Sequence, residues 1–272
     1  SDIFNLISGG GFPWGKIINI VGDNSSGKTA LASEFIAEAK KLYPDVEWDY
    51  DDSESGYSFD SDRIWGVDVI GDVAGSETLE EFSLRLDKKL DKLTKDGRFI
   101  YVLDSFDALT TEEELRHYDE KMTAVEKGKK VPGSYGQSKS KGSSEFFRIM
   151  ARKIYGKNAI LVIISQVREN IGVSFGAKYK RMGGKALDFY CSQIFWLAVA
   201  EKHYVGSGQS ERNVGVTIKI KNTKNKIGKP YREGYIDILF DYGIDRISSN
   251  IKFLYNLYTP EGRLKEKHDE LI

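Results

Sequence analysis

IINIVGDNSSGKTALASEFI, residues 17–36, is the stretch whose reading decides the fold. Ile17, Ile18, Ile20 and Val21 read as a buried strand, and the run from Lys28 to Lys40 has helix-forming composition. Between them the loop GDNSSGKT, from Gly22 to Thr29, has the spacing G-x-x-x-x-G-K-T. Its two glycines allow a tight turn that gathers backbone N–H groups round one point at the positive end of a helix, a concavity suited to phosphate oxygens. The chemistry of this spacing puts Lys28 on the β- and γ-phosphates of a nucleotide and the Thr29 hydroxyl on Mg²⁺. The expected cradle is therefore Gly22, Asp23, Asn24, Ser25, Ser26, Gly27, Lys28, Thr29 and Ala30.

Working outward, 272 residues suffice for one large α/β domain or one domain with a small appendage. A formal net charge of -1, from 40 Lys plus Arg against 41 Asp plus Glu, excludes a uniformly basic nucleic-acid coat but not a local basic site. The single cysteine, Cys191, lies in an apolar segment and cannot form an internal disulfide, which fits a reducing cytoplasm. The apolar stretches at 159–164 and 194–200 are too short to span a bilayer, and no membrane association is expected. No His and Cys cluster has metal-ligand spacing, and no nucleophile-elbow pattern supports a hydrolase triad.

The opening SDIFNLISGGGFPWGK reads as a lead-in loop, because Gly9, Gly10, Gly11 and Pro13 punctuate it. Val46 to Tyr50 reads as a second strand running into the acidic DYDDSES. Leu79, Phe82, Leu86, Leu90 and Leu93 have helical spacing, and FIYVLDS then forms an apolar strand closing on Asp104, placed to orient the Mg²⁺ water shell. Residues 111–144 read as a basic loop with Lys127, Lys129, Lys130, Lys139 and Lys141, either merely solvated or ordering on a polyanion. A helix from Ser144 to Tyr155 carries Arg148, Arg152 and Lys153, and Ala159 to Ser165 is a third core strand. The glycine-spaced, cationic segment after it holds Phe175 and suits a single strand held by charge and base-plane contact; an ordinary loop is the plainer reading. From Gln193 the alternation reads as β-structure, and RLKEKHDELI as a solvated helix end.

Several separated segments together resemble the RecA recombinases, including their phage-encoded relatives. They are SSGKT in the loop, DSE at 52–54, SQVRENIGVSFG at 165–176, MGGKALDFY at 182–190 and KNKIGKP at 224–230. The resemblance implies an α/β fold with a twisted, mainly parallel central sheet flanked by helices and an antiparallel extension toward the C-terminus. It covers most of the chain from about Ile7 to Phe253 and implies a core over residues 1–255, with the basic loop at 111–144, a DNA loop at 167–185 and a tail at 256–272. It implies ATP and Mg²⁺ as cofactors, with Thr29 and Asp104 at the metal, Glu54 as general base, Lys28 on the phosphates and Gln166 as γ-phosphate sensor. Lys224 and Lys226 would complete the site of a neighbouring subunit, so self-association would be needed for turnover. Arg168, Phe175, Gly183, Gly184 and Lys185, with Arg148 and Arg152, would contact DNA.

Three departures qualify the match. Asp23 and Asn24 replace the family's usual proline and glutamate, Ser61 falls where the bacterial proteins carry an adenine-stacking tyrosine, and 111–144 is longer than the family's first DNA loop. The family's N-terminal polymerisation segment and C-terminal domain have no counterpart here, which predicts weakened assembly of this polypeptide. The function so implied is ATP-dependent, cooperative binding of single-stranded DNA and its pairing with homologous duplex. The alternatives are a RecA-fold helicase or regulatory ATPase, and a non-catalytic scaffold for which ATP is assembly glue.

Overall fold

The computed structural model describes residues 1–71, 74–128, 138–169, 179–181 and 184–257. The N-terminal half runs α1 (Asp2–Ser8), β1 (Lys16–Gly22), α2 (Lys28–Leu42), β2 (Glu47–Asp52), α3 (Ser61–Trp65), α4 (Leu79–Lys92) and β3 (Phe99–Asp104). Next come α5 (Glu112–Glu126), α6 (Ser138–Tyr155), β4 (Ala159–Glu169), β5 (Tyr179–Arg181) and α7 (Gly184–Tyr190). The chain continues through β6 (Gln193–Val205), β7 (Arg212–Asn225), β8 (Glu233–Leu239), β9 (Gly243–Asp245) and α8 (Arg246–Leu254).

The sheet order is β2-β3-β4-β1-β6-β7-β8-β9, with β5 paired to β4 alone. From β2 to β6 the pairs are parallel, and from β6 to β9 they are antiparallel. Side-chain alternation sends Ile18 and Ile20 to one face, with Ile100, Val102, Ile160, Val162 and Ile164, where α1 and α2 cover them. Ile17 and Val21 join Phe99, Tyr101, Leu103, Leu161 and Ile163 on the other face, under α4, α6 and α7. A strand apolar at nearly every position must be covered on both faces, and each such side chain contributes about 1.5–3 kcal/mol on burial.

The structure corrects several expectations. The opening is a helix, not a lead-in loop: Ile3, Phe4 and Ile7 are buried, and Gly9 ends the helix at φ 81° by donating to Asn5 O. Its last carbonyls are held by Gln193 and Asn225 on Ser8 O at 3.0 and 2.7 Å, and by Asn222 on Ile7 O at 3.3 Å. The stretch 111–144 is not one loop. It contains α5, started by a reciprocal cap in which Glu114 N donates to Thr111 and Thr111 N to Glu114. It also contains the first turns of α6, which begins at Ser138 rather than Ser144. Gly142, a loop residue by composition, lets α6 approach α4, since a Cβ there would lie 3.0 Å from Leu79 Cδ2. Strand β4 runs past Ser165 to Glu169, and the expected run of β-structure closes with α8, capped by Asp245 on Ser248 N at 2.9 Å. The expected helix end at 263–272 lies outside the described residues.

Polar groups are buried inside this core as well, Asn19, Asp51, Gln193 and Asn222 among them. Asp51 is fully buried on β2 and accepts from Ser76 N, Ser76 Oγ and Tyr101 OH, each at 2.6 Å. This ties the start of α4 to two strands, and burial beside Asp51 pushes the Tyr101 hydroxyl far up. Asp51→Ala strands buried donors, each costing about 1–3 kcal/mol. The variant is expected to lose about 3 kcal/mol of unfolding free energy in urea; a loss below about 1 kcal/mol would show that the network contributes little.

Candidate active site

The parallel register assembles the site. Gly22 stands opposite Gln166 across β1 and β4, and Asp52 opposite Asp104 across β2 and β3. The C-terminal ends of four adjacent strands thus converge beside the N-terminus of α2, the crevice where α/β sheets bind ligands.

The loop is built as its spacing predicts. A Cβ on Gly22 would sit 2.3 Å from Ser26 Oγ and 2.8 Å from Leu197 O, so only glycine fits this turn. Gly27 caps α2 at φ 83°, and a Cβ there would meet Ile238 Cδ1 at 2.7 Å. The Asp23 carbonyl accepts from Lys28 Nζ and Ser26 Oγ, both at 2.7 Å, while its carboxylate accepts from Asn24 N at 2.8 Å. The unusual acid therefore closes the loop on itself and spends its charge on an adjacent amide. Ser25 adopts the left-handed region at φ 57°, and Ala30, buried in the first turn of α2, offers backbone alone.

Thr29 Oγ1 and Tyr50 OH both donate to Asp104 Oδ2, at 2.8 and 2.7 Å. Burial holds the Asp104 carboxyl above the usual carboxylate range, opposed by these two hydrogen bonds and reinforced by Glu54 and Asp52. Burial holds Lys28 below the ordinary lysine range, against the pull of Asp104, Glu54, Asp23 and Asp107. In linkage terms the stability tied to Asp104 is present below its unfolded value and lost as pH rises through the folded one. The cluster is thus poised for a ligand that carries both negative charge and a hard cation.

Glu54 and Gln166 come together. Gln166 Nε2 donates to Glu54 Oε1 at 2.7 Å, Ser105 Oγ donates to the same oxygen, and Gln166 N donates to Asp107 Oδ2 at 2.6 Å. Tyr50, Ser105 and Asp107 are the site residues that sequence reasoning missed. Tyr50 could have been found from its place two residues before Asp52 on an alternating strand, and the other two from their closeness to Asp104 in DSFD.

The remaining predicted residues fall elsewhere. Asn225 of β7 is level with Gln193, which is level with Ile18, so Lys224 and Lys226 lie toward the opposite end of the sheet from the loop. Lys224 Nζ donates to Asp188 O and, at 3.0 Å, to Phe189 O, and Lys226 Nζ donates to Phe189 O at 3.2 Å. Both thus neutralise the carbonyl end of α7 and do not face the loop of their own chain. Arg148 and Arg152 are exposed on α6 and line one cavity with Lys16, Lys226, Tyr155 and Phe189. Arg168 lies in the short β4–β5 ribbon, opposite Lys180, so the base of the expected 167–185 loop is strand. Gly184 opens α7 and is followed there by Lys185; the side chains of Arg168 and Lys185, and all of Phe175 and Gly183, lie outside what is described. Ser61 is buried, accepting Val69 N at 3.0 Å, and presents no ring for stacking.

Among the described residues no His, Cys, Asp and Glu group forms a ready metal cage, and no helix is long and apolar enough to cross a membrane. The loop, the Thr29–Asp104 pair and the converging strand ends together define an α/β fold of the P-loop class. The chain belongs to the RecA family, since the family model of the RecA N-terminal domain matches residues 3–245. It is 28% identical over 264 residues to the chromosomal RecA protein of Lactococcus lactis subsp. lactis, covering 96% of this chain and 62% of that one. It is 32% identical over 247 residues to the RecA protein of Corynebacterium aurimucosum, covering 89% of this chain and 59% of the relative. The chain therefore spans about 60% of the length of these relatives. The crystal structure of the RadB recombinase shares the fold, with a TM-score of 0.56 at 15% identity over 89% of this chain and 94% of the other.

Removing the Tyr50 hydroxyl tests the electrostatics directly. In Tyr50→Phe the Asp104 carboxyl is expected to titrate at higher pH than in the parent, read by carbon-13 carboxyl NMR, because one of its two anion-stabilising donors is gone. An unmoved or lowered value would mean that the Tyr50 contact does not stabilise the carboxylate.

Proposed function

We propose that this chain is the ATPase core of a DNA recombinase that assembles on single-stranded DNA and pairs it with homologous duplex. The observation that carries the reading is the contact between Glu54 and Gln166, because Gln166 lies on a strand that continues without a break into the β4–β5 ribbon. The C-terminal end of β4 thereby faces the phosphate loop at Gln166 and, within three residues, leads into the segment expected to meet DNA.

ATP and Mg²⁺ fit the residues present. The loop amides and Lys28 are the donors for the phosphates; Thr29 and Asp104, already hydrogen-bonded to each other, are hard oxygen ligands for the metal. When bound, the pair supplies an electrophilic phosphoryl group and charge neutralisation for its transfer. Glu54 is an exposed carboxylate at the site, and it orients the attacking water and takes up its proton at Oε1 or Oε2. Gln166 holds Glu54 until the phosphates compete for its amide, so occupancy of the site is transmitted along β4.

Lys224 and Lys226 serve the site of an adjacent subunit as transition-state cations, in keeping with their distance from their own loop. Arg148, Arg152, Gly183, Gly184 and Lys185 take the DNA backbone, with Arg168 and Phe175 from the segment between β4 and α7. Binding led by phosphate contacts predicts strong salt dependence and little sequence preference.

Glu54→Gln distinguishes this reading from a scaffold that needs ATP only as glue. Turnover is expected to fall by about 10²–10⁴-fold while ATP-dependent binding of single-stranded DNA persists. Unchanged turnover would overturn the assignment of Glu54.

A further inference from the structure

Helix α5 buries none of its residues. Its apolar side chains nevertheless form a row: Leu115, Tyr118, Met122 and Val125 are 39, 61, 43 and 58% exposed, at successive spacings of three, four and three residues. That is the seam of a helix made to pack on another helix. A helix of this length is marginal on its own in water, even with the reciprocal cap at Thr111 and Glu114. Its root is nonetheless fixed: Glu112 N donates to Glu80 at 3.2 Å, and Lys139 Nζ to Asp107 O at 3.2 Å and to Leu109 O. An anchored helix therefore carries its unfilled seam away from the core.

Charge selects the occupant. Residues 112–126 hold six acids, Glu112, Glu113, Glu114, Asp119, Glu120 and Glu126, against Arg116 and Lys121, a net of -4 with His neutral. DNA is repelled by such a face; the lysines on which the polyanion reading of 111–144 rests, Lys127 to Lys141, follow α5 in the chain. A second copy of the helix is also a poor match. Glu112, Asp119 and Glu126 recur every seven residues along one border of the seam, so an antiparallel pairing sets these acids against each other, and a parallel one sets Glu114 against Asp119 for each Lys121 set against Glu126, with no net attraction. We propose that α5 is a docking arm for a helix of another protein, one with an apolar seam bordered by Lys or Arg.

The probe is a fluorescent synthetic peptide of three heptads with Leu at both seam positions and Lys at the border positions. A twin peptide has Glu at the borders. Anisotropy titrations with this chain are expected to give at least about tenfold tighter binding of the Lys peptide. Leu115→Ser with Met122→Ser, both at exposed positions, should weaken it by at least about tenfold. Glu112→Lys with Asp119→Lys and Glu126→Lys should reverse the preference between the peptides. Equal binding of both peptides, or binding indifferent to these variants, would overturn the proposal. So would a concentration-dependent dimer in sedimentation that Leu115→Ser with Met122→Ser abolishes, since the seam would then belong to a second copy. Displacement of the Lys peptide from the parent arm by single-stranded DNA, with that arm required for DNA binding, would also overturn it.

Discussion

Gly22 faces Gln166 across the β1–β4 ladder, and the working parts of the site depend on that register. A slip of one residue would turn every core side chain of β1 to the wrong face, so the hydrophobic alternation on both sides of the sheet locks the pairing. Once it is locked, the loop after β1, the Glu54 corner after β2, Asp104 at the end of β3 and Gln166 on β4 cannot avoid one another. No residue of the site is held by a contact of its own making alone. Glu54 is reached by Gln166 and Ser105, Asp104 by Thr29 and Tyr50, and the Asp23 carbonyl by Lys28 and Ser26.

The same register separates what the antiparallel extension carries. Lys224 and Lys226 leave the sheet at the level of its other end and settle on α7, near the basic cavity that holds Arg148 and Arg152. One chain thus presents the Gly22–Thr29 loop at one end of its sheet and a cationic surface toward the other. In the proposed reading those two ends meet between subunits, which makes catalysis a property of the assembly. The unfilled seam on α5 is a third surface, acidic where the second is basic, and the two do not compete for one class of partner.

Much of this was legible in the residues. The phosphate loop reads directly because covalent spacing alone fixes a strand, a turn and a helix N-terminus in order, and Asp104 reads from an apolar run that stops at an acid. Glu54 and Gln166 read only through resemblance to a family, since two polar residues 112 positions apart announce nothing by themselves. The partners of Tyr50 and Asp51 were illegible because they lie across strands, where register decides, although the strand alternation already set Tyr50 on the same face as Asp52. The opening helix was hidden by the glycines that terminate it, although Ile3 and Ile7 already stood one turn apart. Helix α5 was hidden by the lysines that follow it, which drew attention from a capping signal at Thr111 and Glu114 and from a seam at regular spacing. Composition describes a segment on average, and here the average concealed a helix.

The most direct test of the account is the rate of ATP hydrolysis by this chain as a function of its concentration, with and without single-stranded DNA. If Lys224 and Lys226 complete a neighbour's site, the DNA-stimulated rate will climb faster than in proportion to protein concentration. A rate that is proportional to protein and indifferent to DNA would contradict it, since each chain would then hold all it needs for turnover.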